Sequence, residues 1–130
     1  MATIDDILSA IDADQGPALE RLFALLSIPS ISALPAHFPD CERAADWLVG
    51  QLGDLGFDVA KHPTEGRSMV VGQAKANRRD APHVLFYGHY DVQPVDPLNL
   101  WRNPPFEPRL EAGPQGEQIV ARGASDDKGQ

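Results

Sequence analysis

The stretch Gly88-His89-Tyr90-Asp91 places an imidazole and a carboxylate two residues apart, at the end of the apolar run Val84-Leu85-Phe86-Tyr87. In extended backbone, side chains two apart share a face, so His89 and Asp91 point one way and Tyr90 the other. A carboxylate beside an imidazole accepts the proton of one ring nitrogen. That fixes the tautomer and makes the other nitrogen a better metal ligand. Gly88 admits close approach of backbone or ligand, and the carboxyl ends of buried strands are where open α/β sheets place their sites. A second stretch, Gly123-Ala124-Ser125-Asp126-Asp127-Lys128-Gly129, sets adjacent acids in a glycine-flanked turn. A carboxylate such as Asp126 has two oxygens and can bridge two divalent ions about 3.5–4 Å apart. Each stretch also has a structural explanation: a hydrogen-bonded His-Asp pair at a strand end, and acids that are solvated or cap a helix.

The elements that must position these groups are those of one domain. A chain of 130 residues with 42% hydrophobic content can bury a core but not two of ordinary size. The net charge of −8 argues against a nucleic-acid partner, which clustered lysines and arginines would favour. One cysteine, Cys41, allows neither an internal disulfide nor a thiolate-rich metal site. The N-terminal residues MATIDDILSAIDADQG carry no basic leader or continuous apolar core, and no stretch has the length to cross a bilayer. A reduced, cytoplasmic setting without membrane partners is the expectation.

Apolar residues at Ile4, Leu8 and Ile11, then Leu19, Leu22, Phe23 and Leu26, recur at helical spacing. The spacing predicts two helical segments, or one bent helix, interrupted at Gly16-Pro17 and ended by Pro29. A Ser/Pro loop follows. A second helix then starts with Asp40 as its cap and carries Ala44, Trp47, Leu48, Leu52 and Leu55 along one face. FDVAKH and SMVVGQAK read as short strands, and APHVLFYGHYD as the principal buried strand, covered on both faces. PFEPRLE and EQIVARG are predicted to pair around AGPQG. Helices beside mostly buried strands make an α/β layered domain. The residues ASDDKGQ look like a strand-to-helix turn, so the chain is expected to be the front portion of a longer protein.

Together, GHYDVQP and RGASDDKGQ at this separation closely resemble the M20 family of zinc-dependent peptidases and deacylases. The resemblance extends over most of the chain, through LFALLSIPSIS, ERAADWLVGQLGDLGF and LWRNPPFEP. The last of these, with HYDVQPVDP, looks most like the dipeptidase branch, the carnosinase-like and nonspecific dipeptidases. The implied fold is an α/β layered zinc-peptidase-type catalytic domain with a mostly parallel central sheet, of which residues 1–130 would be an incomplete N-terminal part. The rest of that domain and a lid or dimerisation domain would lie downstream. The resemblance implies that His89 ligates one metal and that Asp126 bridges two. Asp91 joins the catalytic apparatus as the carboxylate that orients His89. It further implies a cis peptide bond at Asp126-Asp127. Zinc is the expected metal, with cobalt or manganese suited to the same ligands.

By the same resemblance, the metals lower the pKa of a water and polarise the scissile carbonyl of a small peptide substrate. A glutamate downstream of the Asp-Asp-Lys-Gly turn serves as general base. Glu107, Glu111 and Glu117 all precede that turn and do not match it. His37, His62 and His83 read as structural or solvated, Cys41 as a small helix residue near a cap, and Lys128 as solvated in preference to a role in positioning the turn. The expected activity is hydrolysis of an amide bond in a dipeptide by the full-length protein, with residues 1–130 inactive alone. A homodimeric full-length protein is compatible with the resemblance. The rival readings are an N-acyl amino acid deacylase or desuccinylase with the same metal core, and a short non-catalytic scaffold.

Overall fold

The computed structural model describes residues 2–130. Helix α1 spans Ile4–Leu26 without interruption. Its start is a reciprocal cap: the Asp6 amide donates to Thr3 Oγ1 at 3.2 Å, and the Thr3 amide donates to Asp6 Oδ2 at 2.8 Å. Asp5 and Asp6 also place negative charge where the helix dipole favours it. The predicted break at Gly16-Pro17 does not occur. Pro17 removes one intrahelical bond, but that part of the helix is exposed, so the freed carbonyl is open to solvent. The helix ends where Ser27 Oγ bonds back to the Phe23 carbonyl at 2.8 Å and Pro29 forbids a further turn.

Helix α2 runs Phe38–Asp54 after a short 3-10 turn at Pro35–His37. Asp40 lies in its first turn rather than at the cap, and accepts from His37 Nδ1 at 2.8 Å. Strands β1 (Asp58–His62) and β2 (Met69–Gln73) pair antiparallel and lie against α2. Lys61 on β1 reaches Glu42 at 3.1 Å and Asp46 at 2.5 Å on α2. Strands β3 (Arg109–Gly113) and β4 (Gly116–Val120) form the predicted second hairpin around Pro114-Gln115. The core is small: Leu25, Leu26, Ile28, Ile31, Cys41, Ala44, Ala45 and Val92 are buried, and Trp47, Leu48 and Tyr90 pack against the cluster of Leu25, Ile28 and Ala44. Among the described residues, no helix is long and apolar enough to cross a membrane.

The expected mostly parallel central sheet is not what these residues build. Both sheets are two-stranded and antiparallel. The connections, residues 63–68 and 114–115, are too short for the crossover that parallel pairing needs. The only parallel contact among the described residues is an isolated bridge between Ile31 and Val92. The predicted principal strand joins no ladder, and Leu85, Phe86 and Tyr87 are 92%, 91% and 90% exposed. Its continuous apolar run is that of a strand covered on both faces, and the described residues supply neither cover nor neighbour.

Candidate metal centre

The segment following α1 and the segment around His89 run side by side. The Val92 amide donates to the Ser30 carbonyl at 2.9 Å, and Ser30 Oγ donates to the Tyr90 carbonyl at 2.6 Å. Tyr90 points into the core, where its hydroxyl bonds to the Ser68 carbonyl and burial pushes its pKa up to about 12. The alternation expected of extended chain therefore turns His89 and Asp91 to the other side. His89 Nδ1 lies 3.0 Å from Asp91 Oδ1. Asp91 Oδ2 accepts a hydrogen bond from Ser32 Oγ.

The second arm is the turn Gly123–Gly129. Gly123 has φ +88°, and a Cβ there would stand 2.8 Å from Val92 Cγ1, so only glycine lets the turn close on the first arm. At Gly129 a Cβ would fall 1.9 Å from the Ala124 carbonyl oxygen, which closes the turn's far end equally tightly. The Asp126-Asp127 peptide bond is cis. Asp127 Oδ2 accepts the His89 amide at 2.8 Å, and Asp126 Oδ1 stands 3.1 Å from His89 Nε2. Two groups that are 37 residues apart in sequence thus meet. His89, Asp126 and Asp127 each offer an atom within 4.8 Å of the others, the one such cluster among the described residues.

Protonation sharpens the meaning of that contact. Nδ1 faces two acceptors, the Asp91 carbonyl oxygen at 3.1 Å and Oδ1 at 3.0 Å, whereas Nε2 faces one, so the ring proton of a neutral His89 belongs on Nδ1. The Nε2 lone pair then faces the Asp126 oxygen at 3.1 Å, two electron-rich atoms in contact. Only a cation between them or a second ring proton makes the arrangement favourable. Burial works to lower the His89 pKa, yet the hydrogen bonds to Asp91 and Asp126 and the charges of Asp91 and Asp127 outweigh it. The net shift is upward. One nitrogen and carboxylate oxygens converging in a negative field are the donor set of a divalent cation such as zinc, and these residues fit one.

Lys128 departs from its sequence reading. It is buried, and its ammonium donates to the Leu25 and Ile28 carbonyls at 2.9 and 2.7 Å. Burial pushes its pKa down to about 8. Two further side chains around the cluster, Asp127 and Ser32, were given no role from the sequence. Their signal lies only in contacts between distant segments. His37, His62 and His83 stay outside the cluster, as do Glu107, Glu111 and Glu117.

Residues 85–130 match Peptidase family M20/M25/M40. The chain is 37% identical over 117 residues to the cysteinylglycine-S-conjugate dipeptidase of Corynebacterium striatum, a match covering 87% of the chain and 25% of that protein. It is 32% identical to the Cys-Gly metallodipeptidase of Schizosaccharomyces pombe, covering 98% of the chain and 28% of the relative. It is also 32% identical to a succinyl-diaminopimelate desuccinylase of Pseudomonas syringae, covering 90% and 28%. The structure superposes on human carnosine dipeptidase 1 with a TM-score of 0.81 at 26% identity, covering 98% of the chain and 28% of that structure. A Saccharomyces cerevisiae di-peptidase gives 0.76 at 27% identity, covering 92% and 27%. The chain spans 25–28% of the length of these curated relatives. Its fold is of the M20-peptidase, dipeptidase-like kind.

Proposed function

We propose that this chain contributes His89 and Asp126 as metal ligands to a metal-dependent hydrolase of the M20 peptidase family, which in full-length form cleaves the amide bond of dipeptides. One observation carries the reading: His89 Nε2 and Asp126 Oδ1 face each other at 3.1 Å while Asp91 occupies the other ring nitrogen. In this reading Asp91 is a positioning residue that keeps the Nδ1 proton and leaves the Nε2 lone pair for a cation. Asp126 is 75% exposed, so its second oxygen is open to a second ion, and a bridged zinc pair is the arrangement we favour. When bound, the cation supplies Lewis acidity towards the scissile carbonyl and activates water. Asp127 accepts the His89 amide and so holds the two arms in register.

We place the general base, the remaining ligands and the substrate pocket in polypeptide outside residues 1–130. The supports are a cluster of only three ligand residues and relatives about four times the length of the chain. Residues 1–130 alone are expected to hydrolyse no peptide. A dipeptidase is preferred because the dipeptidase likeness extends to both solved structures. The desuccinylase likeness favours a second reading, an N-acyl amino acid deacylase built on the same ligands. The test is a panel of dipeptides, Cys-Gly among them, against N-succinyl and other N-acyl amino acids, run on the zinc-loaded full-length protein. Dipeptide hydrolysis that is abolished by chelator and by His89→Ala supports the first reading. Preference for acylated substrates establishes the second, and a protein that takes up no divalent ion removes both.

A further inference from the structure

Resting on the metal-centre reading, we propose that the segment Leu25–Ser32 is the positioning element of that centre, with Lys128 and Ser32 as its positioning residues. These eight consecutive positions hold both arms of the site. Towards the first arm, Ser30 exchanges bonds of 2.6 and 2.9 Å with Tyr90 and Val92, Ile31 bridges Val92, and Ser32 Oγ fixes the free oxygen of Asp91. Towards the second, the Leu25 and Ile28 carbonyls take the Lys128 ammonium at 2.9 and 2.7 Å. Lys128 directly follows Asp126-Asp127, so its anchor lies two residues from one ligand. Ser32 contacts the carboxylate that orients the other.

The segment is suited to serve as a reference. Leu26, Ser30 and Ile31 are fully buried, and Pro29 restricts the backbone between them. Burying an ammonium is costly, and a lysine that merely kept the turn soluble would stay in water. Here the Leu25 carbonyl in the last turn of α1, where the helix end concentrates partial negative charge, and the Ile28 carbonyl just beyond it receive the ammonium. Ligands of a metal must be held to within about 0.5 Å, and one rigid segment bonded to both arms sets their separation directly.

The experiment measures Zn²⁺ and Mn²⁺ affinity by calorimetric titration of the full-length protein, alongside urea unfolding of each metal-free form. Lys128→Met and Ser32→Ala are each expected to weaken affinity about tenfold or more. Ser32→Thr, which keeps the hydroxyl, restores it. Val59→Ala loosens β1 against α2 away from the site, and should lose stability while keeping wild-type affinity. If folded Lys128→Met and Ser32→Ala bind as tightly as wild type, or Val59→Ala loses as much affinity as they do, the proposal is overturned. Ser32→Ala deletes a single oxygen and decides the matter by itself should Lys128→Met fold poorly. A wild-type protein that takes up neither ion overturns the metal-centre reading, and this proposal with it.

Discussion

Replacing Asp91 by asparagine keeps the shape of the side chain and removes its charge. The amide oxygen can still accept the Nδ1 proton of His89 across the present 3.0 Å, and the amide nitrogen can donate to Ser32 Oγ. The tautomer therefore survives while the ring becomes a poorer donor to a cation at Nε2. Loss of such an outer partner commonly costs about 10–100-fold in metal affinity, or roughly 1.4–2.7 kcal/mol. His89 and Asp91 side chains are 39% and 38% exposed, so water screens part of the charge. The expectation for Asp91→Asn is thus the lower end, about tenfold. Asp91→Ala deletes the acceptor and frees the Ser32 hydroxyl as well, and belongs towards the upper end, about 50–100-fold. Calorimetric zinc titration with a competing chelator at fixed pH measures both. An Asp91→Asn protein within twofold of wild type, or one weaker than Asp91→Ala, would refute the orienting role.

Gly123→Ala forces a side chain into left-handed backbone and against Val92. The two effects cost about 1–2 and about 1–3 kcal/mol, roughly 2–5 in sum, read as a lower urea midpoint at unchanged slope. Lys128 gives stability a pH dependence of definite sign. Its folded pKa of about 8 lies below the ordinary lysine value of 10.5, so between these values the unfolded chain holds more protons and stability rises with pH. Urea midpoints from pH 7.5 to 10 should show that rise in wild type and lose it in Lys128→Met. Metal uptake should weaken as pH falls, because proton and cation compete for Nε2. The upward shift of His89 starts that competition at a higher pH than for free imidazole, and titrations between pH 5.5 and 8 would show it.

Local elements were legible because local forces decide them. The apolar spacing of α1 and the paired runs of β3 and β4 translate directly into structure, and Pro29 does end its helix. The pairing of His89 with Asp91 was legible for a related reason: alternation along extended chain puts the two on one face without any tertiary contact. Sheet direction was not, because an apolar run such as Val84–Tyr87 states that a strand should be covered but not by what. Of the two alternatives at Gly16-Pro17, one helix rather than two segments forms, because one lost bond in water costs less than a break in a long helix. Lys128 was misread as solvated because its acceptors are carbonyls in and just after the last turn of a helix about a hundred residues earlier. Nothing near it in sequence reports them.

Cys41 gives the molecule a built-in reporter. It is the sole thiol of residues 1–130, lies on α2 with no exposed surface, and burial pushes its pKa above the ordinary thiol value. A thiol reagent can reach it only when α2 lifts from its neighbours, so labelling speed counts those excursions without any engineered label.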